Sequence, residues 1–172
     1  YEPLPASGPF ALLAHFARMF RGVLAAVALL MVTVEGINLA TIWGISFAVD
    51  GVGAKGASVF LSEEWPILAL LGFLIVPVVP VLIFLANTLN SQVVAVSMPA
   101  AMQWQGHKAV ERQDLAFFQD LFAGQVASRI SQVASAVQQQ IVVAFYSVPY
   151  FLVQFVGSLV LLATLSWPLA IP

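Results

Sequence analysis

Cysteine is absent, which excludes a disulfide framework and any thiolate metal site and leaves the redox compartment unread. Charge is nearly as scarce: 8% of the 172 residues are Asp, Glu, Lys or Arg, where soluble domains carry about 25%. A solvated surface cannot be built from so few charges. The two histidines, His15 and His107, are far apart and attended by few acids. They offer neither a metal cluster nor a Ser-His-Asp arrangement. The net charge of −2 gives no electrostatic footprint for nucleic acid. No G-x-x-x-x-G-K-[ST] phosphate loop occurs, so this chain alone is expected neither to bind nor to hydrolyse ATP. GVGAKG (51–56) matches G-x-G-x-x-G, but no βαβ pattern surrounds it and it reads as a flexible turn. There is no internal repeat, no low-complexity tract and no recognisable signal peptide. The first residue is Tyr1 rather than Met, which reads as a piece of something longer.

What is there is mostly oil. The chain is 61% hydrophobic with a mean hydropathy of +0.98, so most of it must face lipid or other apolar helices. The expected fold class is an all-α membrane protein. After a turn-rich start, residues 9–21 read as a short amphipathic helix at the membrane surface. Pro9 suits its first turn, and Phe10, Leu13, Phe16 and Phe20 share one face while His15, Arg18 and Arg21 lie off it. The alternative is that these residues are simply the first turns of span one. Span one covers 22–49, residues 50–64 are expected as a loop, and Trp65 is a plausible interface anchor.

Span two begins near Pro66. No charge occurs between Glu64 and Lys108, too long a stretch for one crossing, yet the sequence turns mixed from Asn87 onward. The simplest reading is one helix, 66–112, that leaves the bilayer and continues, with Pro77, Pro80 and Pro99 kinking it or breaking its hydrogen bonding. A mirror image follows in 126–166: a polar helix striped with Val126, Ile130, Val133, Val137 and Ile141 runs into span three, closed by Trp167 and Pro168. Met98 and Met102 on the span-two extension read as core packing. Arg18, Arg21, Lys108, Arg112 and Arg129 collect on one side of the spans, with Lys55 alone on the other. By the positive-inside rule the N-terminus and the 87–140 excursion are cytoplasmic.

The two extensions meet at FFQDLFAGQVASRI, residues 117–130. A connector rigidly continuous with two spans moves when they move. It carries Phe117, Phe118, Leu121 and Phe122, an aromatic cluster of the kind that marks a docking surface. Gly124 permits a turn or a close approach, and Asp120 and Arg129 suit the two ends of a short helix.

At these residues the chain resembles the transmembrane domain of ABC (ATP-binding cassette) exporters. Their first intracellular loop shows F-F, then a G, then an R followed by an apolar residue, matched here by Phe117, Phe118, Gly124, Arg129 and Ile130. The W-Q-x-H element at Trp104, Gln105 and His107, ahead of F-F-Q-D-x-F-A-G, is similar to a bacterial multidrug-type branch. Many members carry an Asp three residues after the loop arginine, where this chain has Gln132. The resemblance covers most of the chain and implies the N-terminal part of a six-span domain: elbow helix, span one ending at Asp50-Gly51, and spans two and three with long cytoplasmic extensions.

It also implies that Phe117, Phe118, Gln119, Asp120, Leu121, Phe122, Gly124 and Arg129 couple the spans to nucleotide-binding domains outside this chain. ATP and Mg would bind on those domains, and this chain would hold no cofactor. The parent protein would be an ATP-hydrolysing translocase. It would pair with a second transmembrane half, identical or different, in the bacterial inner membrane with its N-terminus cytoplasmic. A small amphipathic molecule would be moved by alternating access. Its path is expected beside Glu35, Asn38, Tyr146, Tyr150 and Gln154. A carboxyl within a span is costly and marks a candidate site, here for a cationic substrate or a proton. It also reads as a hydrogen-bonded glutamate facing another helix, with Asn38 at i+3. Tyr146, Tyr150 and Gln154, with Gly157 and Ser158 nearby, read equally as a path lining and as a helix contact. Two other functions stay open: an ion- or proton-coupled secondary transporter fragment using Glu35, and a non-transporting membrane scaffold.

Overall fold

The computed structural model describes residues 8–113 and 123–165. Every regular element among them is helical. Three helices, Arg21–Lys55, Ala57–Val110 and Gly124–Ala163, are long and apolar enough to cross a membrane. The chain divides into two compact units, one of residues 1–27 and 87–147, the other of 28–86 and 148–172.

In the first unit, α1 (Gly8–Met19) leads into α2 (Arg21–Lys55) with only Phe20 between them. The Phe20 N–H donates to the Phe16 carbonyl at 3.1 Å and the Leu24 N–H to the Phe20 carbonyl at 3.0 Å, so the ladder passes through the junction. α1 packs on α6 (Ala123–Val142), and α6 packs on α5 (Ala95–Val110). Phe16, Leu24, Val94, Met98, Met102, Ala134, Val137 and Ile141 form the buried core of this unit. Met98 and Met102 are thus core residues, as their spacing suggests. On α1, Leu12 and Leu13 pack against this core while Phe10 is 84% exposed. One detail differs from the sequence reading. On α6 the buried position is Ala134 rather than Val133, which is half-exposed. Successive steps of four, from Val126 to Ile130 to Ala134, keep the stripe on the covered face. The row goes on through Val137 and Ile141, both buried, and Val133 lies at its edge.

In the second unit, α2 runs on to Lys55 and α3 (Ala57–Phe73) starts two residues later. The expected loop of 50–64 is therefore helical apart from Gly56. Gly56 makes the corner alone, at φ 80° and ψ 152°, a conformation open to glycine and strained for other residues. Across the corner the Lys55 ammonium contacts the Glu63 carboxylate at 2.8 Å and that of Glu64 at 3.5 Å. The Phe60 ring lies against Gly51, where an added Cβ would overlap it. GVGAKG is the end of a helix and its corner, not a phosphate cradle. α7 (Val148–Leu165) reaches α2 where Gly157 meets the Leu39 side chain, so the small residue there serves a close helix contact.

Pro66 sits inside α3 without a π turn, whereas Pro77, Pro80, Pro99 and Pro149 are accompanied by π turns. These occur at Leu74–Val78, just before α4 (Val79–Leu89), and at Asn90–Val94 and Val143–Ser147. A proline ring meets the carbonyl four residues earlier and supplies no N–H to it. For Pro80 that carbonyl is on Val76 and for Pro149 on Phe145, each inside a π turn; for Pro99 it is on Ala95, immediately after one. The wider turn makes room for the ring without ending the helix.

Candidate functional site

Two arrangements carry polar chemistry in otherwise apolar helices. The first is on α2. Glu35 is fully buried. Its Oε2 accepts a hydrogen bond from the Asn38 amide at 3.2 Å, the i+3 pairing expected from the sequence. Its Oε1 is buried with no hydrogen-bond partner among the described residues. Asn38 itself is exposed. The flanking threonines behave differently: the Thr33 and Thr41 hydroxyls donate to the Leu29 and Ile37 carbonyls, each at 2.8 Å, and so satisfy themselves on their own helix.

The second lies in the first unit. The Tyr146 hydroxyl donates to the Asn87 Oδ1 at 3.3 Å. Asn87 was visible in the sequence only as the start of a polar stretch; its pairing with a residue far along the chain leaves no signal in one sequence. Tyr146 sits inside the π turn Val143–Ser147, whereas Tyr150 and Gln154 sit on α7 beyond it. The spacing of four holds Tyr150 and Gln154 to one face of a regular helix. Tyr150 is half-exposed and Gln154 partly buried.

Of the expected coupling residues, Phe117, Phe118, Gln119, Asp120, Leu121 and Phe122 lie outside the described residues. Gly124 is in the first turn of α6, and among the described residues nothing lies within 4 Å of where a Cβ would stand. Arg129 is exposed on α6 and borders a half-open cavity of about 260 Å³, lined otherwise by apolar groups and Gly106 and reaching Leu12 and Phe16 of α1. Gln132 donates to the Ser128 hydroxyl at 3.3 Å and is exposed. In the W-Q-x-H element, the Lys108 ammonium lies 5.1 Å from the centre of the Trp104 ring, a cation–π contact.

Gly106, which falls within that element, was not singled out by sequence. A Cβ there would stand 2.8 Å from Ile130 Cγ2. Ile130 is β-branched and has little rotamer freedom with which to withdraw. Gly106→Val is therefore expected to push α5 from α6 and destabilise the parent protein by about 1–3 kcal/mol, despite valine's better helix propensity. Thermal unfolding in detergent checks this; a midpoint equal to wild type would mean that the two helices do not approach so closely.

Comparison with known proteins links half of this chain to ABC transporters. Over 85 residues it is 35% identical to a Haemophilus influenzae protein described as an uncharacterized ABC transporter ATP-binding protein. The match covers 49% of this chain and 14% of that protein, so the chain spans a small part of its relative's length. No family model matches the chain. No solved structure matches it.

Proposed function

We propose that this chain is the N-terminal part of the transmembrane domain of an ATP-driven exporter, with nucleotide-binding domains supplied beyond it. The single observation that carries the reading is the similarity to an ABC transporter protein over half of the chain. Its physical support is a set of helices that fits the task. Three are able to span a bilayer, and two of them continue as the mixed-polarity helices α5 and α6, packed together. A helix that is apolar along one part and striped along the next suits a protein that must both cross a membrane and work outside it. In this reading the 87–140 segment is cytoplasmic, and residues 117–130 are the tip on which an ATPase pushes. A small amphipathic molecule crosses by alternating access. The protein works as a pair of such halves.

The experiment uses the parent protein in proteoliposomes. A cysteine placed at Leu121 or Phe122 meets no native thiol in this segment. It is expected to crosslink to a second cysteine on the nucleotide-binding domain, with a yield that changes when ATP is added. Locking the crosslink is expected to stop transport. No crosslink, with transport unaffected, would sink the coupling role and bring the secondary-transporter reading forward.

A further inference from the structure

Among the described residues of the second unit, no charged group pairs with Glu35. Withdrawing a carboxylate from water costs several kcal/mol, and one neutral amide does not offset that. Along α2 the nearest charges are Arg21 and Asp50, about 21 Å and 22 Å away at 1.5 Å per residue. Residues 57–86 and 148–165 contain no charges except Glu63 and Glu64, both held by Lys55. The other titratable group in this unit's described residues is the half-exposed Tyr150. Among the described residues the buried Oε1 has no hydrogen-bond partner.

Asn38 supplies an independent observation. It is exposed on a helix apolar enough to span a membrane, and one of its donors reaches Glu35. Hydrocarbon satisfies none of its remaining amide atoms. This side of α2 therefore meets water or polar groups, and Asn38 connects the buried carboxylate to it. The threonines on either side make no such demand, since their hydroxyls are satisfied on the helix. Along α2 the unmet polar requirement is concentrated at Glu35 and Asn38.

We infer that Glu35, oriented by Asn38, is the recognition carboxylate for the cationic group of an amphiphile with an apolar body. The inference rests on the transport reading for what the bound cation is for, and it deepens that reading by naming the charge of the cargo. Glu35 supplies the opposite charge, and the apolar side chains along the span suit the body. Because Glu35 is fully covered here, the cation reaches it only when α2 parts from its neighbours, as alternating access requires.

The test measures equilibrium binding to the parent protein in nanodiscs with two probes of similar shape, tetraphenylphosphonium and neutral triphenylphosphine oxide. Wild type is expected to bind the cation at least tenfold more tightly than the neutral probe. Glu35→Gln, which keeps volume and hydrogen-bonding capacity, is expected to bring the two within twofold. Glu35→Asp is expected to retain part of the preference. Equal binding by wild type, or an undiminished preference in Glu35→Gln, overturns the inference.

Photolabelling of wild type with a diazirine-bearing quaternary ammonium and its neutral analogue gives a readout that needs no variant. Labelling of residues 29–42 by the cation alone supports the inference. Labelling elsewhere overturns it and points to a basic side chain from outside this chain as the partner of Glu35. ATP-driven uptake by wild-type vesicles tests the transport reading separately. Its absence beside Glu35-dependent cation selectivity would sink the exporter and leave the carboxylate's binding role standing.

Discussion

Met98→Asp is expected to abolish stable folding of the unit that α1, α5 and α6 build. Met98 has no exposed surface and sits among Phe16, Leu24, Val94 and Ile141. Truncating a buried methionine to alanine already costs about 2–5 kcal/mol, through lost transfer energy and the cavity left behind. Aspartate loses the same methylenes and also places a carboxylate where no described residue of the core can pair with it, so the total exceeds about 4–5 kcal/mol. That is comparable to much of a domain's net stability. Met98→Leu conserves volume and is expected to cost less than about 1.5 kcal/mol. Size-exclusion profiles and thermal midpoints of the parent protein in detergent separate the pair. A Met98→Asp protein that elutes and melts like Met98→Leu would mean that the three-helix packing is wrong.

The second large effect is functional. Leu121→Ala with Phe122→Ala is expected to lower ATP-driven transport by a hundredfold or more while ATP hydrolysis continues. The expectation comes from the sequence, since both residues lie outside the described part of the fold. Apolar anchors at the centre of a docking surface commonly cost about 2 kcal/mol or more each when truncated. Two of them, if independent, weaken docking by about a thousandfold. Force from the nucleotide-binding domains would then no longer reach the spans, although nucleotide could still be hydrolysed. Parallel assays of phosphate release and vesicle uptake read the split. A proportional fall in both would indicate general damage, and unchanged transport would place the docking surface elsewhere.

The amino-acid sequence by itself determined the class of this protein. With so little charge and long apolar runs, the backbone has to satisfy its own hydrogen bonds, and helices do so within one segment. The Glu35–Asn38 pairing was legible too, because i and i+3 neighbours on a helix meet whatever surrounds them. So was the burial of Met98 and Met102, from a four-residue repeat. The sequence misjudged what lies between elements. Residues 50–64 look like a loop because they collect Gly, Ser and Glu, yet one glycine at positive φ suffices to turn the corner, and the rest stays helical.

Only the tertiary structure decided which member of a degenerate pattern is covered. Ala134 rather than Val133 lies in the core because burial follows the neighbouring helix, not side-chain size. Phe10 is exposed on the same helix that buries Phe16. Tertiary structure also decided the contacts between distant segments: Tyr146 with Asn87, Gly106 with Ile130, Gly157 with Leu39. A local pattern states how residues repeat along one helix. It contains no term for the register at which a second helix arrives, and that register determines each of these contacts.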